Sequence, residues 1–200
     1  MEKRYQVFIS STFQDLEGAR QEVSQALLRA NCFPAGKELF PAADEETFEY
    51  IKEIIRESDY YIIISAGRYG SIPEGGYKSY TEMEYDYAVE IGKPVLRLLH
   101  RDPFNNLPGD RIEQSDAARD KLEAFRKKLS TGRLASMWDD PAQLGQLVVF
   151  GLMDAQKRHQ AVGWVRANEV AGAAELKQLN DLRGELDVEK HARMEAEIFQ

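Results

Sequence analysis

One carboxylate in this chain stands where it could act on a sugar. Glu84 lies in the segment Ser79–Ala88, which Gly92, Lys93 and Pro94 follow. This order of residues predicts a loop followed by a helix, then a turn, then a buried strand. Glu84 would lie in the first helical turn, where the helix dipole stabilises an anion. Facing an anomeric carbon, such a carboxylate can stabilise an oxocarbenium-like transition state or trap it covalently.

A second interpretation of Glu84 is structural. Thr81 stands three residues before it, and Thr-x-x-Glu is the spacing of a capping box, in which the glutamate side chain returns to the amide of the N-cap residue. The spacing fits both roles. The two roles are also compatible, because a capped, dipole-stabilised carboxylate is the anion that glycosidic chemistry needs.

Three hydroxyl residues end the first apolar run of the chain. Ser10, Ser11 and Thr12 come at the end of a predicted strand and ahead of a predicted helix. Hydroxyls and backbone amides in that position can hold a phosphate or a ribose against the helix N-terminus. The alternative is that Thr12 or Asp15 caps the helix.

Arginine and tyrosine side chains near the third predicted strand could complete a nucleotide site. Arg68 comes just after that strand, where it could meet a phosphate or pair with an acidic side chain. The tyrosines could stack on a base or a nicotinamide ring, and the alternative for most of them is packing in the core or at its rim. They are Tyr69, Tyr77, Tyr80, Tyr85 and Tyr87.

The histidines and the cysteine suggest no metal site and no catalytic triad. His100, His159 and His191 fall in separate predicted elements, and Cys32 is the single cysteine. They lack the spacing of zinc ligands or of a nucleophile with its base. We therefore expect no metal and no required cofactor.

The composition predicts a globular protein of a reducing compartment. Hydrophobic residues make up 43% of the 200 residues, which is enough for a sizeable core. No run approaches the ~18 apolar residues of a membrane span, and the first residues lead straight into a strand-like run without a signal peptide. The lone cysteine excludes an intramolecular disulfide. The net charge of −8 is spread along the chain, which argues against a nucleic-acid-binding face. We expect a cytoplasmic protein that binds neither membranes nor nucleic acid.

Hydrophobic periodicity predicts five strands and five helices in alternation. The predicted strands are Tyr5–Ser10, Phe33–Phe40, Asp59–Ser65, Pro94–His100 and Leu134–Trp138. The predicted helices are Asp15–Ala30, Glu45–Glu57, Tyr80–Ile91, Gln114–Leu129 and Pro141–His159, and Arg101–Gly109 is predicted to be a loop. Such alternation is typical of a flavodoxin-like, doubly wound α/β fold with a five-stranded parallel sheet in the order 2-1-3-4-5. The ligand crevice should lie where strands 1 and 3 diverge, so the loops Ser10–Asp15 and Ala66–Ser79 should meet there.

The composition changes after Trp164. Residues 173–200 are rich in Glu, Lys, Arg, Leu and Ala, which favour a helix. Leu179, Leu182 and Leu186 fit an a/d seam, but Glu189 and Arg193 then fall on it. We predict an α/β domain over residues 1–162 and a helical arm over residues 163–200, which could serve as an oligomerisation or linker segment.

Four segments of the chain resemble a known family: Val7–Leu16, Asp59–Gly70, Ser79–Tyr85 and Gly92–Val95. Across Tyr5–His100 the chain is similar to TIR-like domains that are catalogued as domain-of-unknown-function family 4062 (DUF4062). The wider superfamily contains TIR domains and nucleoside 2-deoxyribosyltransferases. Both carry a catalytic glutamate four residues before a small residue, ahead of a Gly-Lys-Pro turn, and Glu84 with Ala88 matches that spacing.

The resemblance implies a function as well as a fold. It implies that Glu84 is catalytic and that Ser10 and Ser11 lie near the ligand. It implies a TIR-like effector or signalling domain of bacterial defence that binds a nucleotide, NAD above all, and could hydrolyse its N-glycosidic bond. It also implies homo-oligomers or further domains of a longer protein as partners. A catalytically silent interaction module is the alternative, and a nucleoside deoxyribosyltransferase is a third hypothesis.

Overall fold

Five parallel strands form one sheet in the order β2-β1-β3-β4-β5. The computed structural model describes residues 2–13, 15–36, 47–132, 134–167, 170 and 172–198. The strands are β1 (Tyr5–Ser11), β2 (Cys32–Ala35), β3 (Tyr60–Ser65), β4 (Val95–His100) and β5 (Ser136–Trp138). This order confirms the predicted flavodoxin-like topology.

Helices connect the strands and cover both faces of the sheet. They are α1 (Glu17–Arg29), α2 (Thr47–Glu57), α3 (Tyr80–Glu90), α4 (Pro103–Asn106), α5 (Asp116–Ser130), α6 (Pro141–Arg158) and α7 (Ala173–Ile198). A 3-10 helix spans Gly109–Arg111. The predicted loop Arg101–Gly109 therefore contains α4, because Asp102 accepts a hydrogen bond from the Asn105 amide and Pro103 suits a first helical position.

Two predicted strands differ from the observed ones. The second begins at Cys32 and ends at Ala35, and positions 37–40 of the prediction lie outside the described residues. The fifth is limited to Ser136–Trp138. A short edge strand needs few ladder hydrogen bonds, and its ends are poorly marked by periodicity.

The sheet separates two apolar cores because side chains of a strand alternate between its faces. Val7 and Ile9 pack against α1 and α6. Phe8 packs on the opposite face, with residues of α2, α3 and α5. Every residue of β3 is buried, as expected for a central parallel strand. Ser10 follows Phe8 by two residues and therefore faces the α3 side of the sheet.

The chain divides into two compact units, Arg4–Trp164 and the remainder. The predicted domain boundary at residue 162 stays a prediction. Within the second unit, α7 exposes Leu179, Leu182 and Leu186. In the described part of the chain, every helix is too short or too polar to cross a membrane.

Candidate active site

Helix α3 begins one residue after Ser79, and this fixes the position of Glu84. The Ser79 hydroxyl accepts a hydrogen bond of 3.2 Å from the Glu82 amide, so Ser79 is the N-cap. Glu84 is therefore the fifth residue of the helix. Both the predicted first-turn position and the capping box with Thr81 are wrong. The sequence contains a second Ser/Thr-x-x-Glu spacing, Ser79 with Glu82, and the helix begins at that one.

Glu84 is held by Ser10. The Ser10 hydroxyl donates a hydrogen bond of 2.5 Å to Glu84 Oε2, and the two residues are 1% and 2% exposed. They are 74 positions apart in the chain and meet because α3 packs on the face of β1 that Ser10 shares with Phe8. A hydrogen bond to an ionised carboxylate is among the stronger ones in proteins, and it fixes the direction in which the carboxylate points.

Tyr61 lies on the same face, and the sequence analysis did not select it. Its ring stacks on Phe8 at 5.6 Å between centroids and 10° between planes. Burial, and then the neighbouring Glu84 carboxylate, raise the pKa of the Tyr61 phenol well above its ordinary value. The clue in the sequence was strand alternation, because Tyr61 pairs with Phe8, two residues before Ser10.

Ser11 faces the other side of the sheet. Its hydroxyl accepts a hydrogen bond of 2.7 Å from Arg20 Nη1 of α1, and Arg20 also donates to the Ile9 carbonyl at 3.2 Å. The prediction that Ser10 and Ser11 lie together near one ligand is therefore corrected. Neighbouring residues of a strand point to opposite faces, so only Ser10 reaches Glu84.

Thr12 and Asp15 form a buried pair in the loop after β1. The Thr12 hydroxyl donates to Asp15 Oδ1 at 2.5 Å. Helix α1 begins at Glu17 with Leu16 as N-cap and no capping side chain, so neither residue caps it. Burial raises the pKa of the Asp15 carboxyl, and the Thr12 hydroxyl and the Arg68 charge partly offset this shift.

The loops after β1 and β3 meet, as the topology predicts. Gly70 has a φ of +96°, and a Cβ atom there would lie 3.0 Å from Thr12 Cγ2 and 3.3 Å from Thr81 Oγ1. The same loop is bound to the segment before α5. Arg68 Nη2 donates to the Asp110 carbonyl at 2.8 Å, and the Tyr69 amide donates to Glu113 Oε1 at 2.8 Å. Arg68 thus lies near Asp15 but binds the protein backbone.

The predicted tyrosines divide by burial. Tyr69 is 4% exposed, and its hydroxyl donates to Glu82 Oε2 at 2.5 Å. Tyr85 is 3% exposed, and both rings pack edge-on against Phe125. These two belong to the core. Tyr77 is exposed, whereas Tyr80, at the start of α3, and Tyr87 are half-buried. Of the two tyrosines selected as site residues, only Tyr80 keeps part of its surface open.

The Gly-Lys-Pro turn has a structural role. Lys93 Nζ donates to the carbonyl of Arg56 at 2.7 Å and also to that of Ser58. These carbonyls end α2, and a lysine there satisfies acceptors that the helix leaves open. The turn directly precedes β4, at the amino edge of the sheet. Glu84 contacts Ser10 near the carboxyl edge, so Lys93 takes no part in its surroundings.

The carboxyl ends of β3 and β4 are bound by Arg126, which the sequence analysis also missed. Arg126 Nη1 donates to the Ser65 carbonyl at 3.3 Å, and Nη2 donates to the His100 carbonyl. Desolvation lowers the pKa of this guanidinium. Arg126 thus binds the ends of β3 and β4, whereas Ser10 and Glu84 meet at the end of β1.

The donor set suits a sugar better than a metal ion. The described residues contain no group of three or more His, Cys, Asp or Glu side chains that could hold a metal. Around Ser10 the polar groups are hydroxyls and one carboxylate, and such groups hydrogen-bond to ribose hydroxyls.

Fold and site together define a doubly wound α/β domain with a buried carboxylate, Glu84, bonded to Ser10 near the carboxyl edge of its sheet. The chain belongs to the family described as Domain of unknown function (DUF4062), whose model matches residues 6–152. No curated protein matches the chain.

The solved structures that align with this chain include the following three. The TIR domains of the activated Roq1 resistosome, which directly recognises the pathogen effector XopQ, align at 13% identity and a TM-score of 0.42, over 91% of this chain and 99% of that one. A diflavin flavoprotein A3 from Nostoc sp. aligns at 13% identity and a TM-score of 0.40, over 79% of this chain and 97% of that one. The Flv1 flavodiiron core from Synechocystis sp. aligns at 13% identity and a TM-score of 0.42, over 78% of this chain and 36% of that one. At these values the likeness concerns the fold alone.

Proposed function

We propose that this domain is a TIR-like effector that binds NAD at the carboxyl edge of its sheet and hydrolyses the N-glycosidic bond to nicotinamide. The observation that carries the proposal is the 2.5 Å hydrogen bond from Ser10 to the buried Glu84 carboxylate. Open α/β sheets bind ligands outside the carboxyl ends of their strands. An oriented carboxylate next to that edge is the group that an N-glycosidase needs.

In the proposed reaction, the bond between C1′ of the ribose and the nicotinamide nitrogen breaks. Its electron pair neutralises the pyridinium, and nicotinamide leaves as a neutral molecule. Glu84 stabilises the positive charge that develops at C1′, or forms a transient ester with it. Water then attacks C1′, and the proton it loses passes to solvent or to Glu84. Ser10 keeps the carboxylate pointed at C1′ throughout.

Of the other predicted site residues, some would bind the ligand and others only stabilise the site. Thr12 and Arg68 belong to the loops after β1 and β3, which approach each other closely. A phosphate or the second ribose would bind between these loops once they separate. Tyr80 is the half-buried ring at the start of α3 that could stack on a base. Ser11 and Tyr69 do not contact the substrate in this proposal. Both are buried and bound to other side chains, so they stabilise the elements around the site.

Glu84 is only 2% exposed, so a substrate reaches it only after part of the site opens. Arg68 and Tyr69 are bound to Asp110 and Glu113, and release of these contacts would free the loop after β3. We propose that assembly into oligomers, or a change in neighbouring domains, supplies this opening. Activity would then depend on assembly.

The same burial favours a second candidate, a catalytically silent interaction module. In that case the hydrogen bond between Ser10 and Glu84 only satisfies a buried carboxylate. One assay distinguishes the enzyme from the silent module. Concentrated or artificially clustered protein is incubated with NAD and nicotinamide release is followed; the enzyme releases it and the silent module does not. A parallel incubation with deoxyinosine and adenine tests the third hypothesis, since a deoxyribosyltransferase would exchange the base.

A further inference from the structure

Tyr61 combines complete burial with a polar end that is not satisfied. The residue is 0% exposed, and among the described residues its hydroxyl makes no hydrogen bond of good geometry. A buried hydroxyl without a partner costs stability, whereas phenylalanine would fill the same space without that cost. The unsatisfied hydroxyl therefore requires an explanation.

The position of Tyr61 supplies one. Phe8 and Tyr61 are register partners in neighbouring strands, and Ser10 follows Phe8 on the same face. The ring of Tyr61 stacks on Phe8, so its direction is fixed by packing. The hydroxyl at the end of the ring lies close enough to Ser10 and Glu84 for both residues to affect its pKa. The other acidic groups that raise the pKa of this phenol are Tyr85 and Asp86, which belong to the same helix as Glu84.

The hydrogens of the two hydroxyls suggest how the groups connect. Ser10 has one hydroxyl hydrogen, and it points to Glu84 Oε2. Its oxygen keeps lone pairs that can accept a hydrogen bond. Tyr61 has one hydrogen to donate. If Tyr61 donates to Ser10 Oγ, the Ser10 hydrogen stays on Glu84, and each bond in such a chain polarises the next.

We propose that Tyr61 is a positioning residue for Glu84, with its phenol hydroxyl donating to Ser10 Oγ so that the Ser10 hydrogen is committed to the Glu84 carboxylate. Tyr61 does not touch the substrate. It stabilises the ionised and oriented form of Glu84 through Ser10. This inference deepens the proposed function, because it adds a residue to the same site, but it can be tested without turnover.

The test compares two tyrosines of one strand. Tyr61→Phe removes the hydroxyl that faces Ser10. Tyr60→Phe is the matched control, because Tyr60 is equally buried but faces the other core and donates to the His159 carbonyl at 2.9 Å. The carboxyl carbons of glutamate are labelled with ¹³C, the Glu84 signal is assigned by its loss in Glu84→Gln, and its titration is followed by NMR. We expect an upward shift of the Glu84 midpoint in Y61F and none in Y60F. Equal midpoints in wild type, Y60F and Y61F would overturn the proposal.

A double substitution tests the route through Ser10. In a Ser10→Ala background, Tyr61→Phe should cause no further shift, and a full further shift would contradict the chain. If Y61F does not fold, the wild-type protein serves instead. A slowly exchanging Tyr61 hydroxyl proton with a nuclear Overhauser effect to the Ser10 methylene supports the proposal, and its absence at low temperature contradicts it.

Activity gives an independent outcome. If wild type releases nicotinamide, Y61F should be slower by about tenfold, the loss expected when a charged group loses hydrogen-bond support, and Y60F should match wild type. If wild type is inactive while the Glu84 midpoint still moves in Y61F, the proposed hydrolase fails and the role of Tyr61 stands.

Discussion

Ser10 Oγ lies 2.5 Å from Glu84 Oε2, and this contact joins the end of β1 to the second turn of α3. It connects two segments that are far apart in sequence, at the side of the sheet where β1 and β3 are neighbours. Its consequence is a carboxylate whose direction is set by the sheet as well as by its own helix.

Ser10→Ala and Ser11→Ala should separate function from support. S10A removes the donor to a buried carboxylate, so we expect a loss of about 1–3 kcal/mol in stability and a fall in nicotinamide release of about tenfold or more. S11A removes a hydroxyl on the opposite face that binds Arg20. It should lower the unfolding midpoint while the activity per folded molecule stays at the wild-type level. Urea unfolding and the nicotinamide assay measure the two effects, and equal activity losses in both variants would contradict the assignment of faces.

Gly70 lies where the loops after β1 and β3 are too close to leave room for a side chain. Gly70→Ala introduces a side chain at a φ of +96°, 3.0 Å from Thr12 and 3.3 Å from Thr81. We expect a destabilisation of about 2–3 kcal/mol from strain and crowding together.

Gly75 is the matched control for this substitution. It has a φ of +70°, with nothing within 4 Å of a Cβ, so Gly75→Ala carries only the cost of the left-handed backbone, about 1 kcal/mol. Urea denaturation of both variants gives the difference. Equal losses would show that the loops do not approach each other as closely as described.

Helix capping at α3 can be tested by a pair of substitutions. Ser79→Ala removes the side chain that accepts from the Glu82 amide and should cost about 1 kcal/mol. Thr81→Val keeps the volume of the side chain and removes the hydroxyl of the rejected capping box, so it should cost clearly less. Thermal denaturation compares the two. A larger loss in T81V than in S79A would restore Thr81 as the cap.

Much of the fold was predictable because parallel sheets leave a strong pattern in the sequence. The apolar run at Tyr60–Ser65 is buried on both faces and marks the central strand. Alternation of strands and helices then restricts the connections to few topologies. The meeting of the loops after β1 and β3 follows from the strand order, and so it was predictable as well.

The partners of single side chains were less predictable. Glu84 lies next to the end of β1, where it is bonded to Ser10, but its part in the site stays a prediction. Whether it caps α3 depended on where that helix begins, and two overlapping Ser/Thr-x-x-Glu spacings competed for that start. Ser11 was grouped with Ser10 because they are neighbours in sequence, although strand alternation separates them. Tyr61 and Arg126 were missed because their partners come from other elements, and local spacing carries no information about such contacts.

His100 should make the fold sensitive to mild acid. Burial, and then the charge of Arg126, lower the pKa of its imidazole from 6.5, so the folded state resists protonation that the unfolded chain accepts. Between pH 6.5 and the lower folded pKa, the unfolded state binds more protons, and stability falls as the pH falls. His100→Asn keeps an acceptor for the Asp102 amide, which now binds Nδ1 at 3.2 Å, and should weaken this pH dependence.

The control is His159→Asn, because His159 is exposed. Urea midpoints at two pH values, one above 6.5 and one below it, give the comparison. An unchanged pH dependence in H100N, or one abolished in H159N, would show that His100 is not the group responsible.

We propose that Glu84 acts on the N-glycosidic bond of NAD, and nicotinamide release by the concentrated or clustered 200-residue chain tests this role most directly. Glu84→Gln keeps the size of the side chain and an acceptor for Ser10 but removes the charge. Glu90→Gln makes the same change at an exposed position of the same helix. We predict release by wild type and by E90Q, and a loss of at least about 100-fold in E84Q. Turnover by E84Q equal to wild type, or no turnover by wild type at any concentration, would contradict the account.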